Sequence, residues 1–376
     1  MWSVSQGEGI TVAVVDSGVD PSVPELRGQV LQGADVSHAP AGAHTDSEGH
    51  GTEMAALIAG TGADGGLRGL APRTKILPVR AKAAAGDAQD ALMGRALRYA
   101  VEHGARVINV SMGGTGSGPD QFPRTQEAVN YALAKGSLVF AGVGNDGDKG
   151  NPVEFPAALP GVVGVGAVDK ASTVTKFSNW GKQVALAAPG EEIPGRCRQS
   201  AGWCAQRGTS PATAIASASA ALIWSAHPNW TNNQVLRVLM DTAGKPTTGT
   251  VPSKYIGYGT IRPRKVLLDS EGDPGPPDIN PLLPAAQSPK PSTPQAPNDT
   301  TSAANPEPTR AEEDNTTLWL GLGIAAAIAA AAAAAAYAVR RRKSDRHTPD
   351  HNSTPTTHTH TYSRGEPDHV GHPENQ

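Results

Sequence analysis

Residues 1–268 read as an α/β domain with a mostly parallel central sheet. Three observations predict it. Ile10-Thr11-Val12-Ala13-Val14-Val15, Val107-Ile108-Asn109-Val110 and Leu138-Val139-Phe140-Ala141 are apolar runs of strand length. Stretches of helical patterning alternate with them, as βαβ units require. Each run gives way to small or polar residues, and open α/β sheets bind ligands just beyond the carboxyl ends of their strands.

Taken in order, the first run leads into Asp16-Ser17-Gly18-Val19-Asp20, a carboxylate one position past the apolar stretch with a glycine to turn the chain. Such an Asp is often only a cap. His50-Gly51-Thr52-Glu53 opens a short apolar helix that runs to Gly60; a lone histidine there is more often structural than catalytic. Ser111-Met112-Gly113-Gly114 follows the second run, and Gly142-Val143-Gly144-Asn145-Asp146-Gly147 follows the third. Gly164-Val165-Gly166-Ala167-Val168-Asp169 begins like a dinucleotide fingerprint but lacks its third small residue, so it reads as a buried strand. Gly208-Thr209-Ser210-Pro211-Ala212-Thr213-Ala214 opens a long helix of small residues ending near Ala226. A serine at that point is commonly an N-cap.

Composition changes sharply beyond this region. The chain holds 32 prolines in 376 residues, and 11 of them crowd between Pro274 and Pro308. Residues 269–317 therefore read as a Pro-rich disordered linker, with too few large apolar side chains to offset the entropy of ordering. Leu318 to Val339 carries no charge, and as a helix it would be about 33 Å long against a hydrocarbon core of roughly 30 Å. It is expected to be a transmembrane helix, with Trp319 and Tyr337 at its interfaces. Glu312, Glu313 and Asp314 precede it, whereas Arg340, Arg341, Arg342 and Lys343 follow it. Positive-inside logic then places the polar tail, 340–376, in the cytoplasm and the large domain outside. His358 and His360 lie in that tail, where weak metal binding competes with simple disorder.

Several function classes are excluded. A formal net charge of −3 offers no field for nucleic acid. Two cysteines rule out a disulfide-dense mini-protein or an all-cysteine zinc ribbon. His-Glu-x-x-His, Gly-x-x-x-x-Gly-Lys-Ser/Thr and Cys-x-x-Cys are all missing from the sequence. No cofactor or metal site is expected.

Asp16, His50 and Ser210 gain meaning together, since each sits at an element boundary and their order along the chain is that of the subtilisin triad. With Asp-Ser-Gly, His-Gly-Thr and Gly-Thr-Ser at spacings of 34 and 160 residues, the sequence resembles the subtilase family of serine peptidases over about 1–268. Gly257-Tyr258-Gly259-Thr260-Ile261 is similar to that family's closing Gly-rich strand. The resemblance implies a three-layer subtilisin-like fold. It also implies that Ser210 Oγ attacks the scissile carbonyl, that His50 moves the proton, and that Asp16 holds the imidazole. Asn145 and the Ser210 N–H would bind the oxyanion. Ser111, Met112, Gly113 and Gly114 would pair with an extended peptide substrate, while Gly142 and Gly144 would wall the primary specificity pocket.

The sequence departs from many subtilases after the nucleophile, where Pro211 stands for Met, and Ala214 and Ile215 replace Pro-His. Proline at the first helical position is well tolerated. Cys197 and Cys204 bracket a short loop ahead of Ser210; they form either a disulfide, stabilising by roughly 2.5 kcal/mol on a loop-entropy model, or two free thiols.

A subtilase domain, a Pro-rich stalk, one C-terminal membrane helix and a basic-flanked end together resemble the mycosins, membrane-anchored peptidases associated with type VII secretion. That implies membrane partners from the secretion machinery, an export signal and an extended N-terminal segment. Met1-Trp2-Ser3-Val4-Ser5 carries neither of the last two, so a start upstream of Met1 is expected. The alternative function is a structural subunit of a secretion complex, with proteolysis secondary or absent; Gly321 and Gly323 would favour close packing of its membrane helix.

Overall fold

The strand sequences alternate their side chains between two cores, and this sets the layer order. In the computed structural model, residues 1–38, 40–82, 87–196 and 202–284 are described. Along the chain run β1 (Thr11–Asp16), β2 (Ala34–Asp35), α1 (His50–Ala59), β3 (Lys75–Arg80), α2 (Asp87–Glu102), β4 (Val107–Val110) and β5 (Gly114–Thr115). After them come α3 (Pro123–Ala134), β6 (Leu138–Gly142), β7 (Glu154–Phe155), β8 (Val163–Val168) and β9 (Leu186–Pro189). The series ends with β10 (Ile193–Arg196), β11 (Trp203–Gln206), α4 (Thr209–Ala226), α5 (Asn232–Asp241) and α6 (Pro263–Leu267).

Seven strands form one parallel sheet in the order β2-β3-β1-β4-β6-β8-β9. Val12, Val14, Ile76, Val107, Leu138 and Phe140 face a core shared with α1, α4, α5 and α6. Their neighbours Ala13, Val15, Leu77, Ile108 and Val139 face a second core under α2 and α3. The period-2 alternation of strand side chains thus supplies both faces of a three-layer α/β domain. The expected strands at Ile10–Val15, Val107–Val110, Leu138–Ala141 and within Gly164–Asp169 all lie in this sheet.

Helix α4 packs on the sheet alongside α1. Ala214, Ala216, Ser217, Ala218, Ala220 and Ala221 are all fully buried, so its small side chains let neighbouring backbones approach on every side. Trp224 is fully buried as well, and its indole N–H donates to the Trp230 carbonyl at 2.8 Å.

Two expectations differ from what is observed. Gly257–Ile261 forms isolated bridges, Ala187 with Thr260 and Ser253 with Gly257, rather than a closing strand. Gly257 at φ 57° and Gly259 at φ 139° break the extension that a ladder needs. The chain also stays on the domain past 268. Pro277 O accepts from Thr231 Oγ1 and Asn233 Nδ2, and Leu282 packs against the core beneath α4. Among the described residues no helix is long and apolar enough to cross a membrane, and these do not include the expected one. The expected span Leu318–Val339, the tail and most of the expected linker lie outside the described residues.

Candidate active site

Because β1, β4 and β6 are parallel and successive in the sheet, their carboxyl ends bring Asp16, Ser111 and the segment Gly142–Asn145 to one edge. Helices α1 and α4 begin there, carrying His50 and Ser210. Residues up to 194 positions apart in sequence are gathered by topology alone.

Asp16 is buried, and its Oδ1 accepts from the Ser17 N–H at 2.7 Å and from His50 Nδ1 at 2.7 Å. An Nδ1–H donated to Asp16 fixes the imidazole tautomer and leaves Nε2 as the basic nitrogen. The His50 side chain is 24% exposed against 3% for Asp16, so the base reaches the surface while its partner stays dry. Gly51 makes this approach possible: a Cβ there would stand 2.0 Å from Gly18 O and 3.0 Å from Asp16 Cβ.

Helix α1 has no local side-chain cap. Asp46 replaces it, with Oδ1 accepting from the Gly49 N–H at 2.8 Å and Oδ2 from the Thr52 N–H at 2.8 Å. The same carboxylate accepts from Ser17 Oγ at 2.8 Å, and that hydroxyl in turn accepts from the Gly51 N–H at 3.0 Å. His50 is therefore seated from two sides.

Ser210 is the second helical residue of α4, and the N-cap is Gly208. The serine is thus not the cap that its sequence position allowed. Pro211 falls at the third position rather than the first, yet it costs no helical bond, because the first-turn N–H groups have no intrahelical acceptor. Asn145 caps the helix from across the sheet edge, its Oδ1 accepting from the Thr209 N–H at 2.8 Å. That leaves Asn145 Nδ2 as its donor end. Thr209 Oγ1 accepts from the Gly144 N–H at 3.3 Å, which pins the Gly142–Gly144 segment to the start of α4.

Ser210 Oγ donates to Ser111 O at 3.3 Å, and Ser111 Oγ to Ser210 O at 3.4 Å. Ser111 Oγ also accepts from Asn109 Nδ2 at 2.9 Å, and Asn109 Oδ1 from the buried Ser217 hydroxyl at 3.1 Å. The chain Ser217–Asn109–Ser111 runs from the interior to the serine. Gly113 is exposed beside it, and Gly114 pairs with Phe155 in the β5–β7 ladder. Met112 behaves differently, since its side chain packs on the second core.

A cavity of about 620 Å³ opens beside Asn145 and Gly208, lined also by Asp146, Lys149, Phe177 and Arg207. Among the described residues there is no cluster of three or more His, Cys, Asp or Glu able to hold a metal. Cys204 lies on β11, opposite Gly195 of β10; Cys197 lies outside the described residues. Sequence reasoning missed Ser17, Asp46 and Thr209. The available signal for Asp46 was an acidic residue just ahead of a helix start.

The sheet order, the gathered strand ends and the Asp16–His50 pair define a subtilisin-like serine peptidase fold. Residues 7–259 match the model of the subtilase family, and the chain belongs to that family of serine endopeptidases. Subtilisin of Bacillus pumilus is 35% identical over 257 residues, covering 68% of this chain and 90% of that protein. Subtilisin E of Bacillus subtilis strain 168 is 34% identical over 257 residues, covering 68% of this chain but only 65% of its own length. Among solved structures, the MycP3 protease from the type VII (ESX-3) secretion system superposes with a TM-score of 0.62 at 30% identity, covering 71% of this chain and 84% of that one. MycP1 from Mycobacterium smegmatis does so with a TM-score of 0.62 at 27% identity, covering 74% and 84%.

Proposed function

We propose that this subtilase is a membrane-anchored endopeptidase whose catalytic domain works outside the cytoplasmic membrane, in association with type VII secretion. The observation that carries the catalytic reading is the 2.7 Å contact between His50 Nδ1 and buried Asp16, set at the sheet edge where α4 begins. In the proposed reaction Ser210 Oγ attacks the scissile carbonyl as His50 Nε2 takes its proton. Asp16 stabilises the resulting imidazolium, which then protonates the leaving amine. Water, deprotonated by His50, releases the acyl group and returns the proton to Ser210. Asn145 Nδ2 and the Ser210 N–H stabilise the oxyanion, helped by the partial positive charge at the start of α4. An extended peptide lies along Ser111–Gly114, where glycines let two backbones pair.

The secretion setting is supported by likeness to the MycP3 and MycP1 proteases and by the order of segments in the sequence. The proposed organisation is a peptidase domain whose chain stays packed on it to Leu282, a linker from there to 317, a single membrane helix over 318–339 and a cytoplasmic tail over 340–376. A Cys197–Cys204 bridge suits the oxidising side of the membrane.

One solved relative, a MycP1 protease at 29% identity, is described as an essential component of its type VII secretion system, which supports a second reading in which the domain serves mainly as a structural subunit. Fluorophosphonate labelling of native-host membranes separates the two. Labelling that disappears in Ser210→Ala is expected, and its absence in wild type overturns the peptidase reading. Normal secretion by Ser210→Ala favours the structural role.

A further inference from the structure

One acidic side chain reaches both the segment expected to pair with the substrate, Ser111–Gly114, and the segment expected to wall the primary specificity pocket, Gly142–Gly144, with the Asn179 amide beside it at Gly144. Glu154 is the first residue of β7, which pairs with β5 directly after the first segment. Its Oε2 lies 3.3 Å from where a Cβ on Gly113 would stand, and its Oε1 lies 2.4 Å from where one on Gly144 would stand. Both segments are therefore glycine at the points where the carboxylate touches them. Any larger residue at Gly144 would displace it.

Among the described residues no cation pairs with this group. Among the described residues the Glu154 carboxylate makes no hydrogen bond and no ion pair, although the residue is half-buried. The neighbouring carboxylate, Asp146, has Lys149 Nζ at 3.3 Å; Glu154 has no such cation. Burial pushes the Glu154 carboxyl above the ordinary range, and the negative charge of Asp146 pushes it further the same way. A lone, partly desolvated carboxylate is unfavourable until a cation arrives. Beside the segments expected to hold the substrate, that cation would come from the substrate.

We propose that Glu154 is a specificity-determining residue that makes the primary pocket select peptides with lysine or arginine on the acyl side of the cleaved bond. The inference rests on the peptidase reading above and adds the substrate class. A lysine ammonium or arginine guanidinium between the two glycine segments would pair with Glu154 in a setting shielded from water, where charge-assisted hydrogen bonds are strongest. An apolar side chain of similar length would instead cover the carboxylate and leave it unpaired.

The test uses full-length protein solubilised from native-host membranes and fluorogenic peptides that differ only in carrying Lys or Leu at that position. Active enzyme is counted by Ser210-dependent fluorophosphonate labelling. We expect kcat/KM for the Lys peptide to exceed that for the Leu peptide by roughly ten- to a hundredfold. In Glu154→Gln that ratio should collapse toward one, and in Glu154→Lys it should invert in favour of a Glu peptide. Benzamidine should also inhibit wild type competitively, far better than benzyl alcohol, and this readout needs no variant to fold. Turnover with a Lys to Leu ratio at or below one overturns the inference while leaving the peptidase reading intact. A Lys preference unchanged in folded Glu154→Gln overturns it too. If wild type neither labels nor turns over either peptide, both readings fall.

Discussion

Asn145 has two jobs at opposite ends of one amide, and they can be separated. Its Oδ1 caps α4 through the Thr209 N–H, while Nδ2 is the proposed oxyanion donor. Asn145→Ala removes both. It should lower kcat by about 10²- to 10³-fold with little change in KM, and cost about 1 kcal/mol of stability from the lost cap. Asn145→Asp keeps an acceptor for Thr209 but has no donor, so its melting temperature should recover while its rate does not. Recovery of both would remove Asn145 from the oxyanion site. Asp16, His50 and Ser210 were legible together, because each stands at an element boundary in a motif with fixed neighbours and the three follow the chain order of the triad. Asp46 and Glu154 were not. Five donors converge on Asp46, from Ser17, Glu48, Gly49 and both the N–H and hydroxyl of Thr52, but the one from Ser17 crosses 29 residues and depends on the fold. Glu154 faces Gly113 and Gly144 only because β5 and β7 pair.

Helix ends show the same limit at the scale of elements. α5 carries its own capping box, Thr231 with Gln234, and is readable from four residues. α1, α3 and α4 have no local side-chain cap. Asp46, Asp90 and Asn145 cap them from other elements, with Asp90 Oδ1 accepting from the Thr125 N–H at 2.8 Å. The two-residue strand β2 was equally invisible, and a buried ion pair holds it to β3. Arg80 Nη1 meets Asp35 Oδ2 at 2.7 Å, with side chains 7% and 3% exposed. Burial alone would raise the Asp35 carboxyl, but hydrogen bonds from Ser37, the Ala41 N–H and Arg80 outweigh it and hold the group down from 3.8 to about 2. A folded-state value below the unfolded one stabilises at higher pH. The contribution, about 2 kcal/mol, is therefore full above roughly pH 4 and fades as pH falls toward 2. Asp35→Asn leaves Arg80 buried without its counter-charge and should cost about 3 kcal/mol at neutral pH. Denaturant titrations from pH 6 to pH 2 should also show a shallower acid loss for the variant. An unchanged slope would mean that Asp35 does not carry it.

For the whole molecule, composition speaks where motifs are silent. The prolines that crowd between Pro274 and Pro308 separate a glycine-rich catalytic domain from the uncharged run Leu318–Val339, on which the proposed membrane anchor rests. The domain side of that linker is held more firmly than composition suggested. Asn280 is buried, and Arg237 Nη2 donates to Ile279 O at 2.9 Å, so the chain is still on the domain there rather than leaving it at 269. Alanine is only weakly lipophilic, which would make the proposed anchor depend on its length and on its flanks, Trp319 and Tyr337 at the interfaces and Arg340 to Lys343 beyond. Two measurements on native-host cells follow from this. A chain ended after Thr317 should move from the carbonate-resistant membrane fraction to the soluble fraction while keeping Ser210-dependent labelling, because the peptidase domain makes no use of the span for its chemistry. An epitope placed after Gln376 should resist protease added to intact spheroplasts and be lost on lysis, whereas the catalytic domain should be accessible before lysis. Retention of the truncated chain in the membrane would assign anchoring to the peptidase domain itself. An exposed epitope would reverse the topology, and with it the compartment in which a Cys197–Cys204 bridge could persist.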